Sequence, residues 1–283
     1  MVINLNKQRS TKQMFVIALT LIGVVLGLIN VFPFIFMISS SFKPSGRVFE
    51  YPLRLIPETL YLQNYKEIFS DKFDFLLWYK NTLVMTVFSV ISQCIIIPLT
   101  AYSFAKLRFR GREFLFTLFL CSMMIPGDVA IVQKYMIFKS LHITNSMLCM
   151  IVPAGFNIFW VFFLRQFFRS IPAELQESAI IDGCGYFKIY VKIILPLTKP
   201  ALITMVIFNF IGYWNDFVTP YLFINNMKKT MLTVGMQTFT IAKFTDYGLQ
   251  MAGACLAIIP ILILFISSQK YYIQGIAASG IKG

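Results

Sequence analysis

Long runs without a charged side chain constrain this chain more than any other feature of its sequence. No acidic or basic residue occurs from Met14 to Ser40, and five further runs are nearly as apolar. About 20 apolar residues in a helix cross a bilayer core, where backbone N–H and C=O groups must be paired within the segment. The sequence therefore predicts an all-α membrane protein with helices over 14–40, 81–105, 114–133, 145–164, 200–224 and 249–268.

The composition agrees with this prediction and excludes other classes of protein. Hydrophobic residues make up 58% of the chain and charged residues 13%, which is far from the balance of a soluble domain. The net charge of +13 comes from basic residues in loops between the apolar runs, where they set orientation. The five cysteines show neither metal-ligand nor disulfide spacing. We therefore expect no nucleic-acid partner and no metal site.

One short basic loop predicts the orientation in the membrane. Lys106, Arg108, Arg110 and Arg112 lie between the second and third apolar runs, and short loops rich in basic residues stay in the cytoplasm. Parity then places both termini and the segment Arg165–Lys199 on the cytoplasmic side of the cell membrane. The predicted order is a cytoplasmic segment 1–13, a first span 14–40, an extracytoplasmic loop 41–80, a transmembrane domain 81–268 and a cytoplasmic tail 269–283.

A polar segment, about residues 172–196, separates the fourth and fifth apolar runs. Pro172 suits a first helical turn because it has no N–H to pair there, and Glu174 and Glu177 place negative charge at the positive end of a helix. A helix should therefore begin here. Helical spacing puts four of its residues on one face: Leu175, Ser178, Ala179 and Asp182.

Two glycines and a proline predict how this segment continues. Gly183 or Gly185 can take the left-handed conformation that ends a helix. A second short helix is expected from about Tyr186 to Ile194, where Pro196 would stop it. The segment is therefore predicted to be a helix, a sharp turn and another helix at the cytoplasmic surface.

These residues carry a family motif. Glu177-Ser178-Ala179, Gly183 and Ile193-Ile194-Leu195-Pro196 resemble the cytoplasmic signature of the permease subunits of ABC importers, which reads Glu-Ala-Ala, a Gly four positions after the last Ala, nine free positions and Ile-x-Leu-Pro. Ser178 replaces the first alanine, one small residue for another. The stretches "AYSFAKLRFRGR", "GYWNDFVTPYLF" and "QKYYIQGIAASGIKG" extend the resemblance over nearly the whole chain and are similar to the carbohydrate, maltose-permease-like branch.

The resemblance implies a fold, a role and a set of partners. The fold would be the six-helix bundle of a type I ABC importer, and the polar segment would be the coupling helix that docks on a separate ATPase. The implied partners are a second permease subunit, two cytoplasmic ABC ATPases, an extracytoplasmic solute-binding protein and membrane lipid. The residues implied in ATPase coupling are Glu174, Glu177, Ser178, Ala179, Asp182, Gly183, Gly185, Leu195 and Pro196.

The sequence gives no sign of catalysis by this chain. It has no G-x-x-x-x-G-K-[ST] phosphate loop, and His142 is the only histidine, so neither nucleotide hydrolysis by that route nor a histidine-based dyad is supported. We expect no catalytic residues and no cofactor. ATP and magnesium would be bound by the partner ATPase.

The fifth apolar run contains candidate residues for a substrate path. Sugars stack on aromatic rings while amides and carboxylates bind their hydroxyl groups, and polar side chains inside a membrane often mark a pathway. A structural explanation stays open as well, since Trp and Tyr anchor helices at membrane interfaces and an Asn-Asp pair caps helix breaks. The candidates are Asn209, Tyr213, Trp214, Asn215 and Asp216.

The predicted function is that of a permease subunit in an ATP-driven importer of a sugar or oligosaccharide. An ABC permease for a polyamine, a phosphate or an amino acid is an alternative, although few charged groups in the spans favour a neutral cargo. An ion-driven secondary transporter is a second alternative, but such proteins place ionisable groups at the midplane of repeated, broken helices. Asp128 and Asp216 are the only charged residues within the apolar runs.

Overall fold

The computed structural model describes the backbone of residues 2–127, 129–241 and 244–280. Asp128, one of the two acidic residues noted in the apolar runs, lies outside the described residues. The chain divides into two compact units. The first unit comprises residues 1–73 and 238–257, and the second comprises residues 74–237 and 258–283.

The first unit contains one long apolar helix and an ordered loop. Asn64 is buried and ties this loop together, because its side-chain amide donates to the backbone oxygens of Ser41 and Lys43 at 2.9 and 2.8 Å. The elements are α1 (Val2–Ser41), α2 (Gln63–Ile68), a two-stranded antiparallel pair β1 (Thr240–Ile241) and β2 (Phe244–Thr245), and the start of the final helix, which runs over both units from Tyr247 to Gly280.

The second unit is helical and is built around one long helix. Its helices are α3 (Phe75–Lys106), α4 (Arg112–Ser122), α5 (Ile131–Ser140), α6 (Leu148–Ala154), α7 (Ile158–Ser170), α8 (Glu174–Ile181), α9 (Tyr186–Ile189), α10 (Leu195–Leu197), α11 (Lys199–Trp214), α12 (Val218–Phe223) and α13 (Leu232–Gly235). The helix Tyr247–Gly280 is α14. Helix α3 packs against α6, α7 and α11, so it is the element on which the others are assembled.

Within the described residues, four helical segments are long and apolar enough to cross a membrane: 13–41, 75–106, 148–170 and 247–269. A fifth is obtained if the bent pair 186–197 and 199–214 is counted as one span. Four of the predicted windows, 14–40, 81–105, 145–164 and 249–268, coincide with these four segments. The prediction of an all-α membrane protein is confirmed at this level.

Three predicted windows are interrupted where one continuous helix was expected. The window 114–133 holds α4, a turn and α5, and the break includes Pro126 and Gly127, which lack a backbone donor and a side chain respectively. The window 145–164 falls on the apolar segment 148–170, which is one candidate span but consists of two helices, α6 and α7. The first turn of α7 is capped by the side chain of Asn157, which accepts from the Trp160 N–H. The window 200–224 is divided between α11 and α12.

Candidate functional site: the polar segment and the polar residues of the fifth run

Helix α8 forms where the sequence predicts it and ends in a Schellman turn. The N–H of Gly183 donates to the carbonyl of Ile180 and that of Cys184 to the carbonyl of Ala179, both at 2.9 Å. Gly183 has a φ of +78°, and a Cβ added there would meet nothing within 4 Å. Gly183 is therefore required by its backbone angle and not by packing. Gly185 has φ −71° and ψ 157°, so the left-handed position predicted for one of the two glycines belongs to Gly183.

The second helix of the segment continues past the predicted stop. The backbone is α-helical over Tyr186–Ile189, π-helical over Tyr190–Ile194 and α-helical again over Leu195–Leu197. The prediction that Pro196 ends this helix is wrong. The proline stands in the first turn of α10, where a missing N–H is tolerated, and the wider π-helical turn precedes it. The chain changes direction at Thr198, with 77° between the flanking helices.

Four buried side chains anchor the polar segment to the rest of the second unit. Ala179, Ile189, Tyr190 and Ile194 belong to one hydrophobic cluster with residues of α3, α7 and α11. Tyr102 of α3 adds a polar link, because its hydroxyl donates to the carbonyl of Tyr186 at 3.2 Å. Its ring also lies 5.2 Å from that of Tyr190, centroid to centroid. The segment is therefore fixed to the helix bundle by its inner face.

A buried arginine joins α3, α4 and α7, the last of which is the helix that precedes this segment. Arg165, in α7, is 3% exposed. Its Nε donates to the carbonyl of Phe104 at 3.2 Å, and its Nη2 donates to both carboxylate oxygens of Glu113 at 2.9 and 2.8 Å. The guanidinium carbon lies 3.8 Å from the centroid of the Phe116 ring. Each of these groups satisfies part of a cation that could not otherwise be buried.

Glu113 is shared between two arginines. Its carboxylate also pairs with Arg112 at 2.9 Å. Partial desolvation acts to raise the pKa of Glu113, but the hydrogen bonds and charges of Arg165 and Arg112 outweigh it and hold that pKa below its ordinary value. Lys106 provides a second fastening, because its Nζ donates to the carbonyl of Ile171 at 2.7 Å, in the link between α7 and α8.

The outer surface of the polar segment carries most of the predicted coupling residues. Of these, Glu174, Glu177, Ser178, Asp182, Gly183, Gly185 and Pro196 are exposed, Leu195 is half-buried and Ala179 is buried. The face predicted for α8 is confirmed, since its four residues line one cavity of about 420 Å³ together with side chains of the second helix: Leu175, Ser178, Ala179, Asp182, Lys192, Ile193, Pro196 and Leu197.

The polar residues predicted in the fifth run do not share one environment. Asn209 is buried, and its Oδ1 accepts from Gln93 Nε2 at 3.1 Å. The same Gln93 amide donates to the hydroxyl of Tyr213 at 2.7 Å. Trp214 is 1% exposed and contacts the rings of Tyr79 and Phe210 at centroid distances of 5.2 and 5.8 Å. These three side chains therefore join α11 to its neighbours.

Asn215 and Asp216 lie at the break that follows α11. Asn215 is exposed, and Asp216 is half-buried. The Oδ1 of Asp216 accepts from the Thr219 N–H at 3.2 Å, which caps the turn that leads into α12. The helix-capping explanation considered for this pair therefore holds for Asp216, whereas the side chain of Asn215 is exposed.

Sequence reasoning missed the residues that fasten these regions. Gln93 is a polar side chain in the second apolar run, and a glutamine within a span is a recognisable signal for a partner in a neighbouring helix. Arg165 and Glu113 stand at the ends of apolar runs, where a charge is ordinarily exposed. Nothing in the sequence distinguishes them from other terminal charges, because their pairing depends on how α4 and α7 pack.

Comparison with known proteins supports the fold. A chain from a bacterial ABC transporter involved in the import of the acidic polysaccharide alginate superposes with a TM-score of 0.83 at 24% identity, covering 93% of this chain and 98% of that one. The similarity to this solved structure shows that the helix arrangement is the one found in that transporter.

Curated relatives match at the level of the whole chain. The arabinooligosaccharides transport system permease protein AraQ of Halalkalibacterium halodurans is 32% identical over 98% of this chain and 100% of its own length. The galactooligosaccharides transport system permease protein GanQ of Bacillus subtilis is 30% identical over 91% of this chain and 92% of its own.

A family model also matches more than half of the chain. The model describes the binding-protein-dependent transport system inner membrane component and matches residues 95–277, a range that includes the polar segment and the whole fifth run. The chain therefore belongs to the family of binding-protein-dependent transport system inner membrane components, which confirms the prediction of a membrane transport subunit and not an enzyme.

Proposed function

We propose that this chain is a permease subunit of an ATP-driven ABC importer that carries an oligosaccharide across the cell membrane. It would form half of a translocation path with a second permease, receive its cargo from an extracytoplasmic solute-binding protein and draw energy from two cytoplasmic ATPases. The names of the relatives, transport system permeases for arabino- and galactooligosaccharides, support this cargo class. Membership of the inner membrane component family supports a multi-pass location.

The proposal includes six spans and cytoplasmic termini. Four spans would be the long apolar segments, a fifth would be α11 with its bent approach, and the sixth would be the interrupted run 114–133. Breaks within a span are tolerated where neighbouring helices or a water-filled path satisfy the backbone. The basic loop after α3 favours cytoplasmic termini through the positive-inside rule.

The exposed acidic face of α8 is the observation that carries the coupling role. Glu174 and Glu177 stand in the first turn of a helix whose inner residue, Ala179, is buried in the hydrophobic cluster with α3, α7 and α11. Neither carboxylate forms an ion pair with a basic group among the residues that the structure describes, although Glu177 lines one cavity with Lys106, Arg108 and Arg112. A partner that supplies the complementary positive charge would complete this surface, and in this function the partner is the ATPase.

The contacts of the polar segment with the helix bundle could transmit a movement of α8 to the membrane helices. The polar segment is joined to α3 through the hydrogen bonds of Lys106 to Ile171 and of Tyr102 to Tyr186, to α7 through the covalent link at Ile171, and to α11 through the bend at Thr198. A displacement of α8 by the ATPase would therefore be passed to three helices together. In this scheme Gly183 shapes the turn, and Leu195 and Pro196 begin the last helical turn before the bend.

ATP and magnesium would be held by the partner ATPase. The described residues contain no cluster of three or more metal-ligating side chains, and the sequence lacks a phosphate loop. This chain would supply docking and transmission, while the nucleotide chemistry stays in the partner.

The substrate path would lie at the exposed side of the fifth run. Of the five candidate residues, Asn215 is the one whose side chain is exposed, and the neighbouring Asp216 is half-buried. The amide of Asn215 can both donate to and accept from sugar hydroxyls. Asn209, Tyr213 and Trp214 would act behind this surface by holding α11 in place.

Co-purification tests the coupling role. A tagged chain would be isolated from native membranes as wild type, as Glu177→Ala, and as Asp71→Ala, which removes an exposed charge from the predicted outer loop. We expect an ABC ATPase and a second permease with the wild type and with Asp71→Ala. Glu177→Ala should reduce ATPase recovery severalfold while the second permease is retained, because only the α8 surface has lost its charge.

Equal ATPase recovery in all three samples would contradict docking through α8. Isolation of the wild-type chain with neither an ATPase nor a second permease would contradict the importer assignment itself. The cargo is tested separately by uptake of labelled arabino- or galactooligosaccharides, with a polyamine, phosphate and an amino acid as competitors. Competition by any of these three would move the cargo out of the sugar class.

A further inference from the structure

The basic loop between α3 and α4 separates two cavities in the second unit. One cavity of about 690 Å³ lies between this loop and α8, and the other, of about 440 Å³, lies between the loop and the start of α4. Both are open to the surroundings, so a group presented from outside the chain can reach their lining. Arg108 and Arg112 line both cavities, whereas Arg110 lines neither.

The larger cavity has an excess of positive charge. Lys106, Arg108 and Arg112 line it together with one acidic residue, Glu177, so its charged lining sums to about +2. The smaller cavity is lined by Arg108, Arg112 and Glu113, which leaves about +1. A ligand that fits either space would therefore be favoured if it carried negative charge.

The three basic residues differ in whether they already form hydrogen bonds or ion pairs within this chain. Lys106 donates to the carbonyl of Ile171, and Arg112 is held by Glu113 and by the carbonyl of Leu107 at 3.0 Å. Arg108 forms no hydrogen bond or ion pair with any part of the chain that the structure describes. Its planar guanidinium, which offers paired donors to two oxygens of one group, is the available recognition element.

The surroundings of Arg108 are those of a membrane boundary. The apolar segment 75–106 ends two residues before it. Two exposed aromatic side chains line the smaller cavity together with Arg108: Phe109 in the loop, at 41% exposed, and Phe114 in the first turn of α4, at 68%. An unpaired guanidinium that shares a cavity with two exposed aromatic rings at the end of a span combines a site for a phosphate group with surfaces for hydrocarbon.

We propose that the loop 106–112 binds the phosphate group of an anionic phospholipid in the leaflet it faces, with Arg108 as the principal contact. The headgroup phosphate would accept from the Arg108 guanidinium in the field of Lys106 and Arg112. The upper acyl chains would lie against Phe109 and Phe114. Basic pockets at the ends of membrane helices are suited to such headgroups.

A lipid fits these observations better than the acidic side chain of a partner protein. A carboxylate from a soluble partner would satisfy Arg108 but would leave Phe109 and Phe114 exposed beside it. A phospholipid covers both kinds of surface with one molecule. The proposal goes beyond the importer function and does not depend on it, because the site is formed by this chain alone.

Native mass spectrometry of the full-length chain in detergent can measure this binding. Dioleoyl phosphatidylglycerol would be titrated against dioleoyl phosphatidylcholine, which has the same acyl chains and no net charge. The variants are Arg108→Gln, Arg108→Lys and the matched control Arg110→Gln, which removes the same charge from the same loop outside both cavities. Inorganic phosphate would be added in a parallel titration to separate lipid from free anion.

We expect preferential binding of phosphatidylglycerol, weakened about fivefold by Arg108→Gln, which is the effect of one basic residue near an anionic surface. Arg108→Lys should retain part of the affinity, and Arg110→Gln should match the wild type. Melting temperatures without added lipid should be equal for all four proteins, because Arg108 has no internal partner to lose.

Three results would overturn the proposal. Equal weakening by Arg108→Gln and Arg110→Gln would mean diffuse attraction to the loop and no site. Displacement of the lipid by millimolar inorganic phosphate would assign the cavity to a free anion. Unchanged lipid binding by Arg108→Gln, together with reduced recovery of an ATPase from membranes, would assign Arg108 to protein docking.

Discussion

The polar segment 172–196 and the fifth apolar run show opposite outcomes of the same sequence signal. Both contain polar residues in an apolar setting. In the polar segment the carboxylates of Glu174 and Glu177 face outward, while the apolar side chains bind the segment to the bundle. In the fifth run Asn209 and Trp214 face inward. The exposed carboxylates form no ion pair with the described residues, whereas the buried amide oxygen of Asn209 accepts a hydrogen bond from Gln93.

The difference follows from the cost of leaving a polar group unpaired. A side chain at the surface keeps its hydrogen bonds to water at no cost, so it is free to serve a partner protein. Within the bundle an unpaired polar group costs about 1–3 kcal/mol, and Gln93 supplies Asn209 and Tyr213 with a donor. The buried polar residues of the fifth run therefore contribute to stability, whereas the exposed carboxylates of the polar segment are available for the docking proposed above.

Substitution of Trp214 should have the largest effect, and it tests whether the buried residues of the fifth run stabilise the fold. Trp214→Ala removes a fully buried ring from between Tyr79 and Phe210, and we expect a loss of about 3–5 kcal/mol in the free energy of unfolding. Asn215→Ala, the neighbouring exposed position, should change stability by less than about 0.5 kcal/mol while reducing sugar uptake. Urea or thermal unfolding in detergent measures the first effect and labelled uptake the second. A stable Trp214→Ala protein with lost uptake would instead place Trp214 on the path.

Removal of Gln93 tests whether the polar residues of the fifth run act as a cross-link. Gln93→Ala leaves Asn209 and Tyr213 without their donor and should destabilise the protein by about 1–3 kcal/mol. The control is Cys94→Ala, the next residue on α3, which is exposed and should be nearly neutral. If Gln93→Ala matched this control in unfolding experiments, the buried hydrogen bonds would contribute nothing to the association of α3 and α11.

Substitution of the two glycines of the polar segment tests whether the backbone turn after α8 is needed for docking. Gly183→Ala places a side chain at φ +78° and should cost about 1–2 kcal/mol locally, without a clash. Gly185→Ala adds the same methyl group at an ordinary backbone angle and should be neutral. Recovery of the ATPase with each variant, and protease sensitivity of the segment, would report the effect. Equal behaviour of the two variants would mean that the Schellman turn is not what docking requires.

The smallest expected effect concerns the pH dependence of the ion pair between Arg165 and Glu113. The pKa of Glu113 is lowered in the folded chain, so the contribution of this ion pair to the free energy of unfolding is fully present above the unfolded value of about 4.3. It is lost as the pH falls through the lower folded value. The melting temperature should therefore fall as the pH is lowered through the acid range below that unfolded value, and Glu113→Gln should reduce that fall. An identical acid profile in Glu113→Gln would show that the carboxylate does not stabilise Arg165.

Much of the molecule was predictable from short-range physics. Apolar runs predicted the membrane helices, Pro172 and the two glutamates predicted the start of α8, and the glycine pair predicted its sharp end. The helix through Pro196 was not predictable in the same way, because a proline stops or begins a helix according to the hydrogen bonds of the preceding turn, which here is π-helical.

The sequence by itself determined the class of fold, the family motif and the positions of the polar residues, since these depend on composition and on contacts between near neighbours. Only the tertiary structure decided which polar residues face outward and which are shared between helices. Arg165 is buried because α4 brings Glu113 to it, whereas Arg108 is exposed and forms no ion pair with the described residues. Such pairings join residues far apart in the chain, so their free energy depends on packing that no local pattern encodes.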